Sequence, residues 1–583
     1  MNFSRRRLLK RGARLMVAAA AGRSGLKLLG QQPQDIKPDA KPGAIPGMVY
    51  TAPAAPGQPA GPVRPWLHPE RLARFVDPLP IPQALPAGEL RPHPQQAGAQ
   101  VRYHRIAMRQ VEMRVHRDVP PTSVWSYGAS TLGPTGAPGP TIDARKGEPL
   151  LIEWVNELPK EHFLPVDHTL CGAGKDQPVV RTAVHVHGAL VPPESDGYPD
   201  DWQKPGQSRT ALYPMNQDAA TLWYHDHAMG IERLNQYAGL FGFFLIRDEA
   251  EDALKLPSGK YEIPLVICDR FFYADGGLHY PDSGDPEAPW IPEIYGDVIL
   301  ANGAIFPYLD VEPRLYRIRL LNASNSRAYR FSLSNGHGFH QIGSDQGLLA
   351  APVEMKELML SPAERADLLI DFSTLAGTDF TLQDSKLTIM QFRVAGKAVQ
   401  KTGQITAAAE LQASAGSAGF PTVMRTIDRI PESAAVRTRT FTLNEYMHPA
   451  TRVMLMLLDG KYWHDPVTEK PVLDTTEIWS FINTTQDIHP IHLHLVRFQI
   501  LDRRPFDVDD YLSYKKLTYL GEAGPPEPNE RGWKDTVKTH PETVTRIIVP
   551  FHGYTGKYVW HCHLLEHAAN EMMRPFEVVA PPK

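Results

Sequence analysis

The chain has 583 residues, and 61 Lys+Arg against 65 Asp+Glu leave a formal charge of −4. This near-balance offers no basic stripe for a nucleic acid. The three cysteines, Cys171, Cys268 and Cys562, exclude a disulfide scaffold and a CxxC-type zinc module. The 55 prolines, roughly 9 % against a usual ~5 %, disfavour helical bundles and favour an all-β, loop-rich chain.

In chain order, residues 1–30 open with Ser4-Arg5-Arg6-Arg7-Leu8-Leu9-Lys10 and a weak, alanine-rich apolar stretch from Leu15 to Gly22. The pattern is that of a twin-arginine export signal, giving a periplasmic or secreted protein. The stretch falls short of the about 20 residues a bilayer span needs, so no membrane span is expected. Residues 31–73, rich in Pro, Gly, Gln and Ala, read as an extended linker. Alternating segments such as Leu150-Leu151-Ile152-Glu153-Trp154-Val155 mark residues 74–247 as a first β-rich domain. A polar connector follows, then strands such as Tyr316-Arg317-Ile318-Arg319-Leu320-Leu321 in a second domain, 261–395. Residues 396–437 read as an inter-domain connection, and residues 438–583 as a third domain. Three stacked β-sandwiches are the economical architecture.

The 23 histidines are grouped. Four pairs occur: His185-Val186-His187, His225-Asp226-His227, His492-Leu493-His494 and His561-Cys562-His563. On a strand, residues i and i+2 point to one face, so each pair aims two imidazoles into one space. Two pairs fall in the first block and two in the third. So many imidazoles in an apolar setting are costly unless they bind something. Imidazole alone suits Zn, Cu, Fe or Ni.

The fourth pair narrows the choice. Cys562 lies between two histidines and so faces the opposite side of the strand, toward a separate centre. His489 lies three residues before His492, His567 five after Cys562, and Met572 ten after it. Two His, one Cys and a weak axial Met form the trigonal blue-copper set. Zinc hydrolase chemistry leaves Cys562 and Met572 unexplained. Asp226 should point away from its flanking ligands, in a supporting role.

At these residues the sequence resembles the multicopper oxidases, above all the bacterial spore-coat laccase and bilirubin oxidase branch. The resemblance runs from about Arg74 to Val579 and is strongest at Trp463 to Glu469, Trp479 to Leu495 and Trp560 to Pro575. It implies three cupredoxin-like Greek-key β-sandwich domains and four copper ions. It also implies residue roles. His489, Cys562, His567 and Met572 would hold a type 1 copper. His185 and His492 would hold a type 2 copper, and His187, His225, His227, His494, His561 and His563 a type 3 pair. Asp196, in Asp196-Gly197-Tyr198-Pro199, would relay protons. Relatives carry Glu-Asp after the second type 1 histidine, where this chain has Ala568-Ala569, which leaves the proton route open. His337 and His340 read as ordinary polar residues, and Cys171 and Cys268 as a possible disulfide pair.

The expected activity couples one-electron oxidation of phenols, aromatic amines or tetrapyrroles to four-electron reduction of dioxygen to water. The partners are then a small-molecule donor and dioxygen, and the expected state is a monomer. The alternative is a metallo-oxidase acting on cuprous or other metal ions. Its cuprous members carry a methionine-rich insertion, whereas the 16 methionines here are scattered. A copper-free scaffold of the same fold is disfavoured because all twelve ligand positions are filled.

Overall fold

The computed structural model describes residues 64–582 apart from 130–131, 133–135, 386, 397–420 and 448–453. The export segment and most of the linker therefore lie outside the described residues. Strand makes up 45 % of the chain and helix 8 %, so the all-β expectation holds.

Each block is built on the same crossover. In the first, strands β1 (Gln100–Met113) and β2 (Leu150–Asn156) pair in parallel although other strands separate them in sequence. A second sheet carries β3 (Val184–His187), β4 (Ala220–Asp226) and β5 (Phe241–Arg247), with β4 between β3 and β5. In the second block β6 (Glu262–Phe272) pairs in parallel with β7 (Leu315–Asn322). In the third, β8 (Ala435–Met447) pairs in parallel with β9 (Thr475–Asn483). Facing β8 and β9 is a four-stranded sheet in the order β11 (Thr536–Thr539), β10 (His489–Leu493), β12 (Gly556–Cys562), β13 (Met573–Val578). A parallel pair inside an otherwise antiparallel sheet requires the chain to cross between sheets, and this makes each block a Greek-key sandwich rather than a meander.

Alternation along the strands fills three separate cores. Ile106, Trp125, Trp154 and Tyr224 are central to the first, Ile318, Phe331, Leu368 and Phe392 to the second, and Trp479, Phe481, Ile547 and Trp560 to the third. Short helices complete the frame, among them α1 (Glu232–Ala238), α2 (Glu249–Ala253) and α3 (Leu565–Ala569).

A buried ion network ties the second block to the first. Arg317 is bound to Asp367 (2.5 Å) and Glu251 (3.0 Å), Arg319 Nε donates to Glu262 (2.7 Å), and Arg247 of the first block reaches the same Glu262 (2.7 Å). These arginines hold the Glu262 carboxyl down at about 2 against the cost of burial. Removing one partner of such a pair costs about 3–5 kcal/mol, because the other charge is left buried alone.

Two segments read as linkers are partly packed. At the end of the first, Trp66 stacks on Tyr273 with ring centroids 5.0 Å apart, and Leu67 N donates to Phe272 O (3.0 Å). The apolar side chains at 66 and 67 give this stretch surface to bury, which the preceding Pro/Gly/Ala run lacks. In the 396–437 connection, Arg425 grips Asp248 with Oδ1 and Oδ2 at 2.8 and 2.6 Å. Ile430 N donates to Gln499 Oε1 (3.0 Å), and the strand β8 has already begun at Ala435.

Candidate metal centres

Strand β12 lies antiparallel to β10 with Ile491 opposite Cys562 and His492 opposite His561. Alternation then sends Cys562 to one face and His561 to the other. On the first face Cys562 Sγ lies 3.5 Å from His489 Nδ1 and 3.9 Å from His567 Nδ1, and the two nitrogens are 3.2 Å apart. These three donor atoms lie close enough together for one metal ion to contact all of them. Thr485 Oγ1 donates to Asn483 Oδ1 (2.9 Å) and so is free to accept the Nε2–H of His489 (2.7 Å). That bond leaves the Nδ1 lone pair of His489 aimed into the triad. Met572 is fully buried beside it: its N donates to His567 O (2.9 Å) and its O accepts from Cys562 N (3.0 Å).

Burial pushes the Cys562 thiol up and the imidazoles down, His489 to about 4 and His567 to about 3. The histidines therefore present neutral nitrogen lone pairs. A coordinated metal ion would deprotonate the thiol outright.

On the opposite face the two sandwiches share eight imidazoles, each at most 1 % exposed. Strands β3 and β4 pair with His185 opposite His225. Rings from the first block interleave with rings from the third: His185 stacks on His494 (3.7 Å) and His187 on His492 (3.5 Å). Three groups of nitrogens converge: His227, His494 and His561; His187, His225 and His563; His185, His187 and His492. In the first, His561 Nε2 lies 3.1 Å from His227 Nε2 and 3.4 Å from His494 Nε2.

The outer nitrogens are anchored. Nδ1 of His185 binds Asp196 O (2.6 Å), Nδ1 of His492 binds Asp535 O (2.8 Å), and Nδ1 of His225 and His561 bind the carbonyls of Asp226 and Cys562 (3.0 Å each). Each carbonyl can only accept, so the ring proton sits on Nδ1 and Nε2 offers its lone pair inward. His494 Nδ1 is held by Asp196 Oδ2 (2.8 Å), and His187 Nε2 by Asp535 Oδ1 (3.1 Å). Burial and crowding by other imidazoles keep His187, His225, His227, His492, His494 and His563 far below the usual histidine range. The inward Nε2 atoms of His185 and His492 and both ring nitrogens of His563 have no hydrogen-bond partner. Buried orphan nitrogens are rare and costly. Metal ions at their convergence account for one nitrogen of each of these histidines, and neutral imidazole with one thiolate suits copper.

A copper family is also what comparison with known proteins finds. Multicopper oxidase family models match residues 179–251 and 437–582. The laccase of Bacillus subtilis (strain 168) is 43 % identical over 539 residues, which span 88 % of this chain and 100 % of that protein. The chain belongs to the multicopper oxidase family. The laccase of Haloferax volcanii is 38 % identical over 88 % of this oxidase and 86 % of its own length. The multicopper oxidase McoA of Aquifex aeolicus superposes with a TM-score of 0.68 at 27 % identity, covering 87 % of this chain and 100 % of that one. The protein is therefore a copper-dependent oxidoreductase that uses dioxygen, with three cupredoxin-like domains and four copper ions.

The structure brings the sequence-derived residues together: His489, Cys562 and His567 on one face, the eight paired histidines on the other. One detail differs. Only β3 contains both members of its pair, while His227, His494 and His563 lie just past the ends of β4, β10 and β12. They keep their direction because their N–H groups still donate across to Ala183 O (2.7 Å), Val559 O (3.0 Å) and Pro490 O (2.7 Å). Asp226 points away as expected, accepting from Ala183 N, Ala228 N and Asn235 Nδ2. The Cys171–Cys268 disulfide is overturned: both thiols are free. Cys268 is fixed in an apolar core with Phe243 and Val298, while Cys171 Sγ lies 3.7 Å from His464 Nε2. His337 binds the Asp371 carbonyl, an ordinary polar contact.

Two functional residues escaped sequence reasoning. Asp535 accepts from Arg365 of the second block (Nη1 2.8 Å, Nη2 2.5 Å) and contacts His187 of the first, while its own carbonyl holds His492 of the third. Thr485 orients His489. Neither lies in a motif, and Asp535, set between Lys534 and Thr536, reads locally as a surface residue.

Proposed function

We propose that this oxidase is laccase-like, oxidising phenolic, aromatic amine or tetrapyrrole donors at the Cys562 site and reducing dioxygen at the histidine cluster. The observation that carries it is the two-faced strand β12. His489, Cys562 and His567, with Met572 beside them, would hold the type 1 copper. His185 and His492 would hold the type 2 copper, and His187, His225, His227, His494, His561 and His563 the type 3 pair. When bound, copper supplies one-electron redox chemistry. The backbone from Cys562 to His561 and His563 links the two sites by a few covalent bonds. Asp196 touches His185 and His494, and its Oδ1, which has no hydrogen-bond partner, is placed to relay a proton beside the cluster. We propose domain limits of 74–247, 261–395 and 438–583, with β8 extending the third back to Ala435, and read the protein as a monomer exported through its Arg5-Arg6-Arg7 signal. Among the described residues no helix is long and apolar enough to cross a membrane.

One observation supports metal ions as the second donor class. Glu293 Oε1 lies 3.9 Å from the outer Nε2 of His567, and the Asp487 charge acts on both His489 and His567. Carboxylates at this point favour a cationic donor. The test is Cys562→Ser in copper-loaded protein. It should lose the thiolate-to-copper visible band and bring donor-driven oxygen uptake to background. A blue variant would refute the type 1 assignment. Parallel uptake with a phenol, a bilin and Cu(I) ranks the donors, and uptake with Cu(I) alone would put metal ions first.

A further inference from the structure

Reducing dioxygen to two waters consumes four protons with the four electrons, yet the imidazoles that surround the reaction are shut off from water. The protons must cross on side chains, and a carboxylate locked to an arginine is a poor carrier because it stays ionised. The buried carboxylates around the cluster other than Glu232 each have a fixed partner, Asp196 among them through His494 Nδ1 (2.8 Å). Asp535 is paired with Arg365. Glu566 accepts from Tyr280, Asn325 Nδ2 (3.0 Å) and Ser326 Oγ (2.8 Å). Asp226 accepts from three donors.

Glu232 is different. It is 1 % exposed, and neither carboxylate oxygen has a hydrogen-bond partner. It opens α1, five residues after His227, and α1 packs against β4, the strand of His225, and against α3, the helix of His567. The neighbouring positions on α3, Ala568 and Ala569, hold no proton. Four groups face Glu232 from the elements around it: Asp226 on β4, Arg233 on α1, Arg181 ahead of β3, and Cys171 in the preceding loop. The Arg181 guanidinium is spent on the carbonyls of Pro178 (2.5 Å), Gly172 (2.5 Å) and Met229 (2.6 Å). That of Arg233 lies over the Tyr280 ring (4.9 Å). Neither forms an ion pair with Glu232. An unpaired carboxylate there would be very costly, so the group is held as the neutral acid. Burial lifts it to about 8, with Asp226 adding to the effect.

We propose that Glu232 is a proton-holding relay for dioxygen reduction, loaded from the partly exposed Cys171 loop and discharged toward the β4 side of the histidine cluster. In each cycle its O–H bond breaks, the proton ends in product water together with an electron from the donor, and the carboxylate regains a proton from solvent. This rests on the cluster roles proposed above.

The test uses copper-loaded full-length chain and two variants, Glu232→Gln and Glu232→Asp. Reoxidation of the fully reduced enzyme by dioxygen should slow about ten-fold or more in Glu232→Gln. The wild-type rate should fall as pH rises through about 8, and that inflection should vanish in the variant. Glu232→Asp, which keeps an acid one methylene shorter, should recover part of the rate. Blue colour and anaerobic reduction of the type 1 site should not change. Metal-free protein gives a second readout. The folded pKa lies above the ordinary glutamate value of 4.5, so the folded state binds the proton more tightly. Stability should therefore fall as pH rises from 4.5 to about 8, and Glu232→Gln should flatten that slope. Wild-type reoxidation rate and pH profile in Glu232→Gln would overturn the relay. If that variant does not fold, a wild-type rate that does not fall as pH rises through about 8 would do the same. A colourless loaded wild-type chain would instead sink the site reading beneath it.

Discussion

The two faces of β12 solve the same problem, holding a metal with neutral side chains, in different ways. The Cys562 face draws its four proposed ligands from residues 489 to 572, within one sandwich and one core. The histidine face takes four rings from the first block and four from the third, so it exists only while two sandwiches stay in register. The mononuclear site inherits its geometry from strand pairing. The cluster depends on an interface, and that interface is pinned by Asp535, which Arg365 grips from the second block. The second block thus acts on the cluster without supplying a ligand to it.

Substitutions that separate the faces should follow this order. Asp535→Asn leaves Arg365 without its closest partner and loosens His187, costing about 3–5 kcal/mol. Calorimetry should show a lower Tm and metal analysis fewer than four coppers, with blue colour retained. An equal loss at both sites would show that the faces are not independent. Asp196→Asn removes the charged acceptor of His494 and should cut dioxygen reduction about 10–100-fold at full blue colour, by the usual weight of such supporting bonds. Stopped-flow reoxidation checks it, and an unchanged rate would remove Asp196 from the proton path. Thr485→Ala acts on the other face and should be the mildest. It frees His489 Nε2 of one hydrogen bond worth about 1 kcal/mol. The visible band should shift slightly, with no change in reoxidation. A cluster defect in this variant would break the comparison.

The His-x-His pairs and Cys562 were legible because a strand has a period of two, so facing is decided by counting. The crossover sandwiches were less so: no sequence repeat marks β1–β2, β6–β7 and β8–β9 as equivalent pairs, since parallel pairing joins distant residues. Trp66 and Leu67 sat inside a stretch whose composition spoke for a linker, and only the surface at Phe272 and Tyr273 gave them something to cover. Glu232, in Gly230-Ile231-Glu232-Arg233, reads as a charge on a short helix facing water. Its burial between β4 and α3 comes from three elements meeting.

Chain order alone set which atoms could bind copper, since donor type and the alternation of a strand are local properties. Which carboxylates support those donors, and which one is left bare, was decided by packing. Partners that decide the state of Asp535, Asp196 and Glu232, such as Arg365, His494 and Arg181, come from residues tens to hundreds of positions away, and Coulomb and desolvation energies depend on distance in space rather than on distance along the chain.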